Sequence, residues 1–207
     1  MALRHAALGE RKAVFRVGLG PRWPALEVRA WAAYESGVRA LIHRFKFGGE
    51  RRLAIPLGRH LAQRVDEDLT EFDALCAVPT HLGRVVSRGF NPGTLLARSL
   101  APVGTVPVRC LLERKRGLAP QSRLTLEQRQ EAPFGLFRPR SEGLKTLQGA
   151  RVLLVDDVCT TGATLSASAQ ALYEGGADWV VGLVLARVLR RTDCIASTND
   201  ATDQTCL

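Results

Sequence analysis

Two adjacent carboxylates, Asp156 and Asp157, close an apolar run, Val152-Leu153-Leu154-Val155, and are soon followed by Thr160-Thr161-Gly162-Ala163-Thr164. Paired acids can accept hydrogen bonds from two neighbouring sugar hydroxyls, or act as outer ligands for Mg²⁺. The threonines donate hydroxyl hydrogen bonds, and Gly162 lets backbone come close to a ligand. A helix opening at this point turns unpaired N–H groups and its positive dipole end toward an anion. A phosphate at one end and a diol beside it describe a ribose 5-phosphate. The reading requires the acids to face that ligand rather than be consumed in ion pairs.

Holding these groups in place takes a strand, a loop and a helix. Val152 to Val155 reads as a strand buried on both faces of a parallel sheet, ending at the carboxylates, with Cys159 in the loop beyond. Ala163 to Tyr173 reads as a helix packing through Ala163, Leu165, Ala167, Ala171 and Leu172, and Gly175-Gly176 stops it. Trp179 to Ala186 is a second apolar run, so the whole is a strand-helix-strand crossover. In open parallel sheets ligands bind outside the carboxyl ends of the strands.

Upstream, Ala13–Val17 and Val28–Tyr34 read as strands, and Gly37–Phe47 as a helix ended by Gly48-Gly49. A second helix is expected within Glu50–Val65, delayed or kinked by Pro56. Asp73–Pro79 reads as a buried strand that leads into a turn from Pro79 to Asn91. Pro92–Leu100 reads as a helix opened by its proline, and Val106–Leu112 as a strand. Glu113 to Pro133 is a polar connection of the length that forms binding loops, with Phe134 and Phe137 re-anchoring the chain. The expected fold is α/β, an open, mainly parallel sheet flanked by helices. The expected organisation is an N-terminal extension over 1–27, one domain over 28–190 and a polar, disordered tail over 191–207.

Composition sets the class. A chain of 207 residues, 46% hydrophobic and 24% charged, suits one globular domain. No run approaches a membrane span and the N-terminus lacks a signal-peptide core, so a cytoplasmic protein is expected. Five scattered cysteines without C-x-x-C spacing support neither a zinc site nor a disulfide framework. The net charge of +9 is uneven: residues 1–60 hold 12 basic and 4 acidic side chains. Most of the excess is arginine, which grips phosphate through two parallel hydrogen bonds. Pyrophosphate, nucleotides and single-stranded nucleic acid are the anions this favours.

The run Val152–Val155, the doublet Asp156-Asp157 and Thr160-Thr161-Gly162-Ala163-Thr164 resemble the 5-phosphoribosyl-1-pyrophosphate (PRPP) loop of type I phosphoribosyltransferases. Phe45-Lys46-Phe47-Gly48, Arg88-Gly89-Phe90-Asn91 and the pattern Arg114…Gln121…Leu124…Arg129 resemble the ComF branch of that superfamily, and the matches span about residues 30–187. The resemblance implies that Asp156 and Asp157 are the catalytic acids and hold the ribose 2′ and 3′ hydroxyls. It implies that Thr160, Thr161, Gly162, Ala163 and Thr164 hold the 5-phosphate. Thr80, Arg84 and Arg88, with the Arg114-Lys115-Arg116 cluster in a closing loop, would hold Mg²⁺-pyrophosphate. His81 is the one histidine near this region.

Three readings of function follow from the resemblance. The chain transfers a phosphoribosyl group to a nitrogenous acceptor, with a link to DNA uptake in competence. Or it senses PRPP or a nucleotide without turnover. Or it binds single-stranded DNA and works with a competence helicase. The sequence departs from the family in three places. No cysteine precedes Cys76, so the usual N-terminal four-cysteine zinc module is expected to be absent. Asn91-Pro92-Gly93 stands in place of Asn-Gln-Ala, and Ala132-Pro133 in place of Asn-Val.

Overall fold

The computed structural model describes residues 13–65, 68–100, 106–115 and 135–189. Along the chain run strands β1 (Val14–Val17) and β2 (Leu26–Ala33), helix α1 (Ser36–Phe47), a 3₁₀ turn (Arg51–Leu53) and helix α2 (Ala54–Ala62). Strand β3 (Ala74–Ala77) and helices α3 (Leu82–Arg88) and α4 (Pro92–Leu100) come next. Strands β4 (Leu112–Arg114) and β5 (Phe137–Pro139), the short helix α5 (Leu144–Leu147), strand β6 (Arg151–Cys159), helix α6 (Ala163–Glu174) and strand β7 (Trp179–Arg187) complete the described chain.

The main sheet has the order β1-β2-β7-β6-β3, parallel except for the edge pair β1–β2. The α/β fold with an open, mainly parallel sheet is therefore what the sequence implied. Val152 to Val155 are fully buried at the sheet centre and split by alternation between two cores. Val152 and Leu154 meet Ala167, Ala171 and Leu172 of α6, with Leu112 and Phe137 of the separate β4–β5 pair. Leu153 and Val155 meet Ile42 and Phe45 of α1, Leu57 and Leu61 of α2, and Leu96 and Leu100 of α4. At about 1.5–3 kcal/mol per buried aliphatic side chain, this central run anchors whatever follows it.

Several expectations are corrected. β6 does not end at Val155 but runs to Cys159, because β7 is long enough to keep pairing with it, up to Cys159 opposite Arg187. β3 stops earlier, at Ala77 opposite Val155. The acids thus lie inside a strand whose β3-side edge has just been vacated, and Cys159 is the buried last residue of that strand rather than a loop residue. The turn expected over Pro79–Asn91 contains α3. The strand expected over Val106–Leu112 is reduced to a bridge between Val108 and Leu75, and the ladder falls at Leu112–Arg114 instead. Within the stretch read as an N-terminal extension, the strand expected over Ala13–Val17 does form, as β1 on the edge of the main sheet. The proposed tail over 191–207 and most of the polar connection lie outside the described residues.

Candidate active site

Asp156 and Asp157 stand half-buried where β6 outruns β3. Asp156 Oδ1 accepts the Asp157 N–H at 2.8 Å. Burial, and then the Asp157 charge, push the Asp156 carboxyl up to about 7, against the opposing pull of that N–H and of Lys46. Asp157 is not open on both oxygens: its Oδ1 lies 2.6 Å from Lys46 Nζ, with 13% and 19% of the two side chains exposed. From sequence both acids are expected to accept sugar hydroxyls or to serve as outer ligands for Mg²⁺. The structure makes them unequal, one neighbouring a cation and the other disposed to carry a proton.

The Thr160–Thr164 stretch opens α6 as expected. Gly162 is the N-cap, with φ of 83°, a left-handed conformation, and a Cβ placed there would lie 2.8 Å from the Val17 side chain. Thr161 Oγ1 accepts the Ala163 N–H at 3.3 Å, and Thr160 and Thr161 are exposed. Ala163 and Thr164 are half-buried. The segment after β1 binds along α6, with Ser166 Oγ donating to the Gly18 carbonyl at 3.0 Å and Gln170 Nε2 to that of Leu19 at 2.7 Å. Between β1 and the loop lies a cavity of about 420 Å³, lined by Phe15, Arg16, Gly18, Thr160, Thr161 and Arg187 among others. The Arg187 guanidinium stacks 4.0 Å over the Phe15 ring.

On the other side of the doublet, β3 leads into Thr80 and α3. Asn91 ties this corner together: its Nδ2 donates to the Val78 carbonyl at 3.0 Å, and its Oδ1 accepts from Thr80 Oγ1 at 3.1 Å and the Gly93 N–H at 3.0 Å. Thr80 therefore spends its hydroxyl proton on Asn91. His81 caps α3, its Nδ1 accepting the Gly83 N–H at 3.1 Å, and Gly89 closes the helix at φ of 75°. Arg84 and Arg88, one helical turn apart, share a face of α3. Burial and Arg84 push the Arg88 pKa down, opposed by Asp157; burial and Arg84 likewise lower that of Arg114. Arg84 is thus near enough to Arg88 and to Arg114 to repel both, and guanidiniums so grouped are a seat for an anion.

A cleft of about 1020 Å³ opens beside them, lined by Thr80, Gly83, Arg98, Arg109, Arg114, Lys115 and Arg140 among others. Thr80, Arg114 and Lys115 are thus brought together, with Arg84 and Arg88 on the adjoining helix. Arg116 and the rest of the loop to Arg129 lie outside the described residues; their flanks form the antiparallel β4–β5 pair. Along β6 the acids stand between this cleft and the smaller cavity at Thr160–Thr161.

Sequence reasoning gave no site role to Lys46, Arg16 or Arg187, although Lys46 lies in the Phe45-Lys46-Phe47-Gly48 words that carry the ComF resemblance. Arg187 had a signal, since it follows the buried run of β7 and so falls at the same sheet end as the doublet. Lys46 had none from spacing: it lies on α1, more than a hundred residues from Asp157.

The model of the phosphoribosyl transferase domain family matches residues 51–195 of the chain. The DNA utilization protein YhgH of Salmonella typhi is 32% identical over 162 residues, covering 75% of this chain and 70% of that protein. An adenine phosphoribosyltransferase of Sulfurimonas denitrificans is 33% identical over 97 residues, covering 47% of this chain and 50% of that enzyme. Among solved structures, the purine phosphoribosyltransferase from Pyrococcus horikoshii Ot3 aligns with a TM-score of 0.38 at 20% identity, over 64% of this chain and 70% of that one. The chain belongs to the phosphoribosyl transferase domain family. Within it, the similarity to YhgH over most of the length agrees with the ComF branch that the motifs resemble.

Proposed function

We propose that the chain binds PRPP across the carboxyl end of β6 and transfers its phosphoribosyl group to a nitrogenous acceptor. The observation that supports this best is the vacated edge of β6. There the acid doublet has the start of α6 on one side and the Arg84, Arg88 and Arg114 guanidiniums on the other. The 5-phosphate rests on Thr160, Thr161, Gly162, Ala163 and Thr164, with Arg16 and Arg187 adding positive charge. Asp156 and Asp157 accept the ribose hydroxyls. The pyrophosphate takes Arg84, Arg88, Arg114 and Lys115, and Arg116 by sequence, and Thr80 joins them by turning its hydroxyl from Asn91.

In the reaction the acceptor nitrogen forms a bond to C1 of the ribose as the C1–O bond to pyrophosphate breaks. The leaving group departs with the electron pair, and the acceptor gives up its proton to solvent. The sugar passes through an oxocarbenium-like state, so the protein contributes position and electrostatics. The resemblance brings Mg²⁺ with the substrate. Among the described residues no cluster of three or more His, Cys, Asp or Glu side chains could hold a metal ion. The half-buried doublet offers oxygen ligands of the kind Mg²⁺ takes, so an ion arriving on the diphosphate would find Asp156 beside it and would neutralise charge there. Turnover is tested by pyrophosphate release over a panel of bases with Mg²⁺-PRPP. Release with at least one base supports the transferase. Saturable binding with none supports the non-catalytic sensor.

One observation favours a second reading, a single-stranded DNA-binding protein acting with a competence helicase. Phe47 is 59% exposed on α1, with His43 at 4.8 Å and the Arg88 guanidinium at 4.2 Å from its ring. An exposed ring beside an arginine and a second ring is a stacking platform for bases. YhgH carries DNA utilization in its name. An intracellular, cytoplasmic site of action belongs to both readings; among the described residues no helix is long and apolar enough to cross a membrane.

A further inference from the structure

The last turn of α1 reaches both halves of the site. Lys46 pairs with Asp157 at 2.6 Å. Phe47, the next residue, lies 4.2 Å beneath the guanidinium of Arg88. Arg88 feels the charges of both Asp157 and Arg84. Phe45, one residue before the lysine, packs on Phe90 with ring centroids 5.8 Å apart, just past the end of α3. Three consecutive residues of one helix thus bridge the acid doublet and the arginine-bearing arm.

An ion pair that only pinned α1 to the sheet would need no opening to solvent. This pair stands where β3 has stopped, opposite Val155, and both side chains stay partly exposed. An ammonium has three N–H donors. Asp157 Oδ1 accepts one, which leaves donors for an anion arriving from the Arg88 side. The lysine stem is fixed by its helix, since Val38, Ile42 and Phe45 bury the α1 face on the second core. The charge is therefore held in place before any ligand arrives, which lowers the ordering cost of binding.

We infer that Lys46 is a ligand-binding residue that joins the two ends of the site, keeping one N–H on Asp157 and giving another to the diphosphate oxygen nearest the sugar. This rests on the PRPP reading and deepens it. It gives Lys46 a task that the resemblance assigned to Thr80, Arg84, Arg88 and the Arg114-Lys115-Arg116 cluster, and leaves Asp157 one oxygen for a ribose hydroxyl. A lysine that merely neutralised Asp157 would affect every ligand of the acids alike. A lysine that also touches the diphosphate discriminates between ligands with and without one.

The test is calorimetric titration of the full chain with Mg²⁺-PRPP, Mg²⁺-pyrophosphate and ribose 5-phosphate, for the parent, Lys46→Met, Lys46→Gln and Lys46→Arg. Removing one member of a largely buried pair can unfold a protein. Lys46→Gln, which keeps an N–H for Asp157 but no charge, is the variant to read if Lys46→Met does not fold. The expected result is a loss of about tenfold or more in affinity for pyrophosphate and PRPP, as for a charge-assisted contact. Ribose 5-phosphate affinity stays within about twofold, and Lys46→Arg recovers most of the loss. Unchanged pyrophosphate affinity in Lys46→Gln, or an equal loss for all three ligands, overturns the assignment. A parent that binds neither PRPP nor pyrophosphate overturns the PRPP reading beneath it instead.

Discussion

At the residue scale, the two acids are neighbours in sequence and unlike in chemistry. Asp157 has a lysine at 2.6 Å, while Asp156 has the burial, the neighbouring charge and a carboxyl raised to about 7. A carboxyl raised on folding binds its proton more tightly in the folded state, so its contribution falls as pH rises from the ordinary aspartate range to about 7. Asp156→Asn removes that dependence. The variant is expected to melt several degrees above the parent at pH 8, with the gap closing toward pH 4, as thermal unfolding across pH would show; a constant gap would mean that Asp156 does not titrate there. The doublet was legible because its chemistry is local. The ion pair was not, because Lys46 meets Asp157 only through the packing of α1 on the sheet.

At the scale of elements, what the sequence hid follows from where each element is buried. α3 buries none of its residues, so Leu82–Arg88 carries no apolar period for a reader to find. Its ends are set by a histidine cap and a glycine at positive φ. β6 ran past its apolar stretch because β7 continues to supply pairing partners, a tertiary fact. By contrast α1, α4 and α6 fell within a residue or so of expectation, since each has an apolar face or a proline or glycine boundary. Asn91 holds the corner between β3 and α4 with three hydrogen bonds. Asn91→Ala should cost about 1–3 kcal/mol in denaturant unfolding, as expected when buried partners are left unpaired, and should weaken pyrophosphate binding more than ribose 5-phosphate binding. Gly162→Ala combines a positive φ with a contact on Val17. It should destabilise by about 1–3 kcal/mol and weaken ligands that carry a 5-phosphate. Parent-like stability of Gly162→Ala would show that the start of α6 is not held as described.

At the scale of the whole molecule, sheet topology explains why groups from distant parts of the chain converge. β3, β6 and β7 are parallel neighbours, so the segments following their carboxyl ends gather at one end of the sheet. The family match over residues 51–195 takes in that arrangement, while β1 and Gly18 after it supply from outside the match one wall of the second cavity. The net charge of +9 bears on the competing nucleic-acid reading. Affinity for a single strand should fall with salt with a log–log slope of about −0.7 per phosphate contacted, and Phe47→Ala should lower it. Salt-insensitive binding, or none, removes that reading without touching the sugar-phosphate site.

The central claim is that the end of β6 is a PRPP site. Isothermal titration of Mg²⁺-PRPP into the parent chain and into Asp156→Asn/Asp157→Asn tests it most directly. The account predicts saturable one-site binding by the parent and a loss of at least about tenfold, ~1.4 kcal/mol, in the folded double variant. No binding by the parent, or equal affinity in the two proteins, would contradict it.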